Sequence, residues 1–235
     1  MTVDQTDNRI MNSQNMKEFL SPYYRRIQSA LNRILIKIFK PHGIIILGCG
    51  RSGTQFSAKY LSQHGLKVGH ERLRYHGISS WFLTASNSQV PSGPDFNMVK
   101  DLGFTIIHQV REPLASISSI QALGRPSWRF IATQIPIDLD SDSKILRAMK
   151  YWVHWNKLAE QLSDKLVRAE HFQADIVQYI DRELKSPGKG REITKSDRVN
   201  SRKHTSLNWE DLEKEDAELT MQIKQLAGKY GYEYS

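Results

Sequence analysis

The feature that most constrains the fold is a short apolar run that passes through a glycine-rich bend into a helical pattern. The run is Ile44 to Leu47, the bend reads GCGRSGT, and apolar side chains then recur at helical spacing from Thr54 to His64-Gly65. An apolar run rich in β-branched residues is typical of a strand buried on both faces of a parallel sheet. A bend between such a strand and a helix presents backbone N–H groups to an oxyanion. The sequence therefore predicts an anion-binding loop.

Further apolar segments alternate between strand and helix patterns. Strands are predicted at Leu66 to Gly69, Thr105 to Val110 and Leu166 to Arg168, and helices at about Pro113 to Leu123 and at Ile145 to Leu162. This alternation predicts an α/β fold of three layers, with helices on both sides of a central parallel sheet. Ligands in such folds bind at the carboxyl ends of strands. The bend and Arg111 both follow strands, so we expect them to meet in one site.

Length and composition indicate a single large domain. The chain has 235 residues, of which 39% are hydrophobic, so we expect one domain over 21–235 after a loose polar arm over 1–20. The lone Cys49 excludes an internal disulfide framework and a cysteine-rich zinc site, and is compatible with a reducing cytoplasm. No apolar run reaches the roughly 18 to 20 residues of a spanning helix, and the first residues are too polar for a secretory signal. We expect a soluble, cytoplasmic protein.

A basic amphipathic helix is predicted before the first strand. Its apolar residues are Ile27, Leu31, Ile34, Leu35 and Ile38, and Arg25, Arg26, Arg33, Lys37 and Lys40 surround them. Such a stripe is typical of a helix that packs on its own domain and leaves its charges in solvent. A helix that lies on a membrane is the alternative. The net charge of +8 favours an anionic ligand, membrane or nucleic acid without choosing among them.

The bend differs from a nucleoside triphosphate loop in its cation. Gly48 and Gly53 have the spacing of the motif G-x-x-x-x-G-K followed by Ser or Thr, but Thr54 and Gln55 occupy its last two positions. The lysine that would reach the terminal phosphates is missing, and the cation is Arg51, inside the bend. Such a loop suits a group with less charge than a magnesium-bound triphosphate.

Two motifs together resemble the sulfotransferase family. GCGRSGT followed by VREPLASISS is similar to the elements with which that family binds 3′-phosphoadenosine 5′-phosphosulfate. The resemblance implies a P-loop α/β/α fold and transfer of a sulfuryl group to a hydroxyl or amine. It also implies that the bend binds the 5′-phosphosulfate, through Gly48, Gly50, Arg51, Ser52, Gly53, Thr54 and Gln55, and that Arg111 and Ser119 bind the 3′-phosphate. LVRAEHF, with Glu170, is a weaker likeness to a later strand of the family.

The remaining site residues are less strongly indicated. Family members use a Glu or His near the second strand as general base, so we expect Glu71 in that role with His70 in reserve, and Arg51 as the stabiliser of charge on the leaving oxygen. Within the basic segment Lys185 to His204, which loosely resembles a mobile family segment, Arg202 is a candidate contact to the 3′-phosphate. No metal is expected, because the histidines lack the spacing of a metal site.

Two other classes of function remain open. One is a P-loop nucleotide or small-molecule kinase, against which the missing lysine argues. The other is a non-catalytic module that binds a nucleotide or an RNA; the segment Lys185 to His204 has no aromatic residue to stack on bases, so no nucleic-acid partner is expected. The acceptor, whether a small molecule, a lipid or a carbohydrate, and the oligomeric state have no readable signal in the sequence.

Overall fold

A five-stranded parallel sheet forms the centre of the structure, a computed structural model that describes residues 27–85, 96–176 and 206–234. Its strands are β1 (Ile44–Leu47), β2 (Val68–His70), β3 (Gly77–Ser79), β4 (Thr105–Val110) and β5 (Lys165–Arg168), in the order β2-β3-β1-β4-β5. Every neighbouring pair is parallel. All five carboxyl ends therefore lie at the same edge of the sheet.

Helices flank this sheet. They are α1 (27–39), α2 (Thr54–Gln63), α3 (Phe96–Lys100), α4 (Pro113–Ile120), α5 (Arg125–Ala132), α6 (Lys144–Leu162), α7 (helical over 172–176), α8 (Trp209–Glu215) and α9 (Ala217–Lys229), with a 3₁₀ turn at Phe82–Thr84. The long α6 is capped at its N-terminus by Ser143, whose Oγ accepts a hydrogen bond of 3.0 Å from the Leu146 N–H. This is a usual way to satisfy a first-turn donor.

Successive residues of β1 pack on opposite sides of the sheet. Ile44 and Ile46 belong to a buried cluster with Tyr60 of α2, whereas Ile45 and Leu47 belong to another with Ile36 of α1. Because side chains alternate along a strand, a strand with helices on both faces needs apolar residues at every position. The predicted three-layer α/β arrangement with a central parallel sheet is confirmed.

The bounds of the elements show where the sequence predictions were accurate. The strands β1 and β4 have the predicted bounds, and β2 is shifted to Val68–His70. Helix α4 ends at Ile120, three residues before the predicted end. The strand β3 was not predicted, because it has only three residues and includes a glycine and a serine. The predicted arm and the basic segment Lys185 to His204 lie outside the described residues.

Helix α1 is a correction to the sequence interpretation. We expected its apolar stripe to pack on the domain, but Ile27, Leu31, Ile34 and Ile38 are each more than half exposed. The face that packs contains Ser29, Asn32 and Ile36, and Asn32 Nδ2 donates a hydrogen bond of 3.2 Å to the Leu73 carbonyl. The predicted helix is present, but its apolar side points away from the sheet.

Candidate functional site

The loop between β1 and α2 is a tight, strained turn. Its Ser52 N–H donates to the Cys49 carbonyl at 3.1 Å, and Arg51 and Gly53 have φ angles of 75° and 98°. A Cβ on Gly48 would lie 2.4 Å from the Gln109 carbonyl oxygen, so the loop can approach β4 only because Gly48 has no side chain. Positive φ at an arginine costs energy, and such strain is concentrated at binding sites.

Two buried side chains hold this loop from below. Gln109, on β4, donates from Nε2 to the Ser52 carbonyl at 2.8 Å and accepts a hydrogen bond from Ser57 Oγ. Tyr151, on α6, accepts a hydrogen bond of 2.8 Å from the Gly50 N–H. The Gly50 N–H, which we expected to bind the donor nucleotide, is thus engaged by the protein itself. Neither Gln109 nor Tyr151 was singled out by the sequence, since nothing local distinguishes them from the other residues of a predicted strand and a predicted helix.

Ser52 contributes a buried hydroxyl to the loop. Its side chain is almost completely inaccessible, and Oγ has no hydrogen-bond partner among the described residues. A buried polar group without a partner is rare in proteins, and each case calls for an explanation. A loop that binds an oxyanion supplies one, because the hydroxyl can rotate toward the ligand.

The two predicted phosphate-binding motifs touch each other. Arg51 Nε donates to Ser119 Oγ on α4 at 2.9 Å, and Arg111 Nη1 donates to the Arg51 carbonyl at 3.2 Å. Arg111 follows directly on the carboxyl end of β4, and Glu112 caps α4 through the Leu114 and Ala115 N–H groups. Two guanidinium groups are thereby brought to one edge of the sheet, where like charges favour an anion.

The two candidate bases are adjacent at the carboxyl end of β2. His70 Nε2 lies 3.4 Å from Glu71 Oε1 and 3.4 Å from Thr54 Oγ1. Glu71 has a φ of 53°, and its carboxylate accepts hydrogen bonds from Ser80 Oγ and, at 3.2 Å, from the Trp81 N–H. The side chain of Glu71 is only 20% exposed and that of His70 33%. The pair is thus held in place by the ends of β2 and β3.

Burial shifts the protonation of both groups toward the neutral form. It raises the pKa of Glu71 to about 7, against the lowering effects of the Ser80 and Trp81 hydrogen bonds. It lowers the pKa of His70 to about 4. Near pH 7 the imidazole is therefore neutral and the carboxyl group is close to its midpoint. When the pair takes up one proton, that proton rests on Glu71.

A cleft of about 210 Å³ lies between these elements. Its walls are formed by Arg51, Gly53, Thr54, Gln55, Phe56, His70, Trp81, Arg111, Leu123 and Ser127. Cavities that hold a whole small ligand have volumes of roughly 300 to 1,000 Å³. The cleft can therefore enclose one end of a small ligand, and its lining includes the guanidinium groups of Arg51 and Arg111 and the imidazole of His70.

The predicted residues divide into three groups by position. Arg51, Gly53, Thr54, Gln55, His70 and Arg111 line the cleft, while Gly48, Gly50, Ser52, Glu71 and Ser119 are not among the residues that line it. Glu170 accepts a hydrogen bond of 3.0 Å from the Glu112 N–H and one of 2.7 Å from Tyr232 Oη, so it joins β5 to α4 and to the chain after α9. Arg202 lies outside the described residues. Trp81 and Leu123 line the cleft and were not predicted.

No metal cluster forms in the described part of the chain. Within it, no three His, Cys, Asp or Glu side chains are arranged to hold a metal ion. Among the same residues, no helix is both long and apolar enough to cross a bilayer. The polar groups of the cleft include its guanidinium groups, the Thr54 hydroxyl and His70, which lies beside Glu71.

Comparison with protein-family models, with curated proteins and with solved structures finds no match to this chain.

Proposed function

We propose that this chain is a sulfotransferase with the P-loop form of the α/β fold, which transfers a sulfuryl group from 3′-phosphoadenosine 5′-phosphosulfate to an acceptor hydroxyl or amine. The observation that carries the proposal is the hydrogen bond of 2.9 Å between Arg51 Nε and Ser119 Oγ. It joins two motifs that are 68 residues apart in sequence and that resemble the two nucleotide-binding elements of one family.

The charges of the cleft suit the two ends of this donor. Arg51 and Thr54 line the wall beside the helix N-terminus, where a 5′-phosphosulfate would accept hydrogen bonds from backbone N–H groups. Arg111 lines the same cleft and Ser119 contacts Arg51, and a guanidinium with a hydroxyl is a suitable pair for a 3′-phosphate. The contact between the motifs allows one adenosine bisphosphate to reach both.

The reaction would proceed by in-line displacement at sulfur. The acceptor oxygen forms a bond to sulfur while the bond from sulfur to the 5′-phosphate oxygen breaks, and adenosine 3′,5′-bisphosphate leaves. Negative charge increases on the bridging oxygen during this step. Arg51 lines the cleft and is held by Ser119, so its charge is fixed in place before reaction and stabilises the leaving group.

The acceptor proton would pass to the His70–Glu71 pair. His70 lines the cleft, and Glu71 lies behind it with Oε1 at 3.4 Å from Nε2. Because burial raises the pKa of Glu71 to about 7 and lowers that of His70 to about 4, the proton comes to rest on Glu71. A base with a pKa near the working pH is the most effective, so Glu71 is assigned as the base and His70 as its partner in the cleft.

Calorimetric titration with three nucleotides tests the proposal. We expect adenosine 3′,5′-bisphosphate to bind more tightly than adenosine 5′-monophosphate by about tenfold or more, because only the bisphosphate gains the charged contact at Arg111. ATP without magnesium should bind less tightly than the bisphosphate. Tightest binding of magnesium ATP would instead indicate a kinase. Binding of RNA with a steep salt dependence, and no preference among the nucleotides, would indicate a non-catalytic module.

A further inference from the structure

Helix α1 exposes a continuous apolar face. Ile27, Leu31, Ile34 and Ile38 follow one another at spacings of four, three and four residues, which places them on one side of the helix. Leu35 and Phe39 widen this face, and all six side chains are between 42% and 65% exposed. An exposed patch of this kind on a folded domain marks an interaction surface.

The opposite side of α1 fixes the helix to the domain. Ser29 and Ile36 are buried there, seven residues apart, and Asn32 donates a hydrogen bond to the Leu73 carbonyl between them. Ile36 packs in the cluster that contains Ile45 of β1. The apolar face is therefore held outward by the packing of the helix.

The charge beside the apolar face is positive. Residues 27–40 include Arg33, Lys37 and Lys40 and contain no aspartate or glutamate. At the end of the helix, Lys37, Lys40 and His42 line a cavity of about 390 Å³, and among the described residues that line it Asp101 is the one acidic side chain. A cavity with two lysines beside an apolar face is suited to an anionic lipid headgroup.

We propose that α1 lies in the interfacial plane of an anionic lipid bilayer and holds the protein on its surface. The apolar side chains would enter the boundary between headgroups and acyl chains, and the lysines would contact anionic headgroups. This inference does not rest on the proposed function, because it uses neither the cleft nor a donor nucleotide.

Two other occupants of the face are less well supported. A second copy of the chain would bring two α1 helices together, and each would bring Arg33, Lys37 and Lys40 without an acidic residue of its own to pair with them. Like charges at an interface oppose association. A segment of the same chain is the other candidate; it would make the apolar residues of α1 part of the core, so that a charge introduced there would destabilise the fold.

Vesicle flotation with the full chain tests the proposal. Vesicles of phosphatidylcholine with about one-third phosphatidylserine should carry the parent protein upward, while pure phosphatidylcholine vesicles should carry much less, because each lysine near an anionic surface adds attraction. Leu31→Glu should lower the partition coefficient at least about tenfold. Met221→Glu is the matched control, since Met221 is also a helical residue and is 58% exposed against 56% for Leu31; it should change the coefficient less than about twofold.

Four results would overturn the proposal. The first is a parent protein that stays in solution with anionic vesicles, and the second is an equal loss of vesicle binding in Leu31→Glu and Met221→Glu. The third is a parent dimer that Leu31→Glu dissociates while vesicle binding persists. The fourth is a lower denaturation midpoint for Leu31→Glu than for Met221→Glu. The third assigns the face to a second copy and the fourth to the chain itself. Nucleotide titration of Leu31→Glu in solution keeps the two proposals separate, because failure of membrane binding leaves donor affinity unchanged.

Discussion

The carboxyl edge of the sheet and the outer face of α1 depart from the usual distribution of side chains in opposite ways. At the sheet edge, polar groups such as Gln109 and Ser52 are buried. On α1, large apolar groups such as Ile34 and Ile38 are exposed. Scattered exceptions to burial of apolar residues are ordinary, but buried polar groups and contiguous apolar patches are informative.

The two regions differ in the kind of partner that each would suit. The sheet edge surrounds its polar groups with fixed hydrogen bonds, as in the contacts of Gln109 with Ser52 and Ser57, so a small ligand meets a rigid frame. The outer face of α1 offers exposed apolar surface without directional contacts, which would suit a fluid partner such as a lipid bilayer. Substitutions at the sheet edge should therefore change the reaction and the free energy of unfolding. Substitutions on the outer face of α1 should change neither.

The largest expected effect is on catalysis, at Glu71. Glu71→Gln should slow sulfuryl transfer about a hundredfold or more with little change in donor affinity, because an amide cannot accept the acceptor proton. The parent rate should rise with pH and level off above about 7, where the Glu71 carboxyl group is ionised. Steady-state rates from about pH 3 to about pH 9 measure both, since this range covers the pKa values of His70 and Glu71.

The pH profile also separates the two members of the pair. Glu71→Gln should remove the inflection near 7, and the exposed Glu210→Gln should leave it in place. An inflection near 4 in the parent would transfer the role of base to His70, since its pKa is lowered to about 4.

Removal of the Gln109 side chain should have the next largest effect. Gln109→Ala removes the donor to the Ser52 carbonyl and leaves the Ser57 hydroxyl with only its contact to the Gly53 carbonyl, and a buried polar group left unpaired costs about 1–3 kcal/mol. We expect the free energy of unfolding to fall by about that amount in urea denaturation, with weaker donor binding as the loop loosens. Gln63→Ala, at an exposed position on α2, is the control. Equal stability of the two variants would mean that Gln109 does not hold the loop.

Arg111→Ala should have a moderate effect that is specific to one phosphate. Loss of a charged contact to the 3′-phosphate should reduce affinity for adenosine 3′,5′-bisphosphate about tenfold and leave affinity for adenosine 5′-monophosphate nearly unchanged. Parallel calorimetric titrations measure the ratio. Arg129→Ala, at an exposed position on α5, should preserve the preference of the parent. Undiminished discrimination in Arg111→Ala would remove Arg111 from the 3′-phosphate site.

The smallest expected effect is at the outer face of α1. Leu35→Ala should change the free energy of unfolding by no more than about 0.5 kcal/mol, because Leu35 is 42% exposed. Its neighbour Ile36 is 1% exposed, and Ile36→Ala should cost about 2–5 kcal/mol. Urea denaturation of the two variants measures the contrast. Similar losses would show that α1 buries both of its sides.

The sequence was sufficient wherever one local pattern determines the outcome. Ile44–Leu47 is a continuous apolar run, as a doubly covered parallel sheet requires, and Thr105–Val110 is rich in β-branched residues; the bounds of both were predicted correctly. The positions of Arg51, His70 and Arg111 on the cleft follow from strand ends, because parallel strands share one carboxyl edge. The roles of these residues in binding and catalysis stay predictions.

Features that depend on distant partners were not predictable. The periodicity of α1 shows that the helix has an apolar face and a polar face, but it contains no information on which face contacts the domain. The predicted orientation of α1 was therefore wrong. Tyr151 accepts a hydrogen bond from the N–H of Gly50, which is 101 residues away in the sequence, and nothing in its own helix distinguishes Tyr151 from a core aromatic residue. The strand β3 obtains its extended form from pairing with β1 and β2 rather than from its own composition.

The connection from β2 to β3 limits how this protein can vary. Residues 71–76 alone join two neighbouring parallel strands, with Glu71 N–H bonded to the Ser79 carbonyl at 3.0 Å. A segment this short has no slack, so an insertion or deletion within it would move Glu71 relative to the cleft. Variants with a different range of acceptors should therefore differ in length elsewhere in the lining of the cleft, for example around Leu123 and Ser127, while this connection keeps its length.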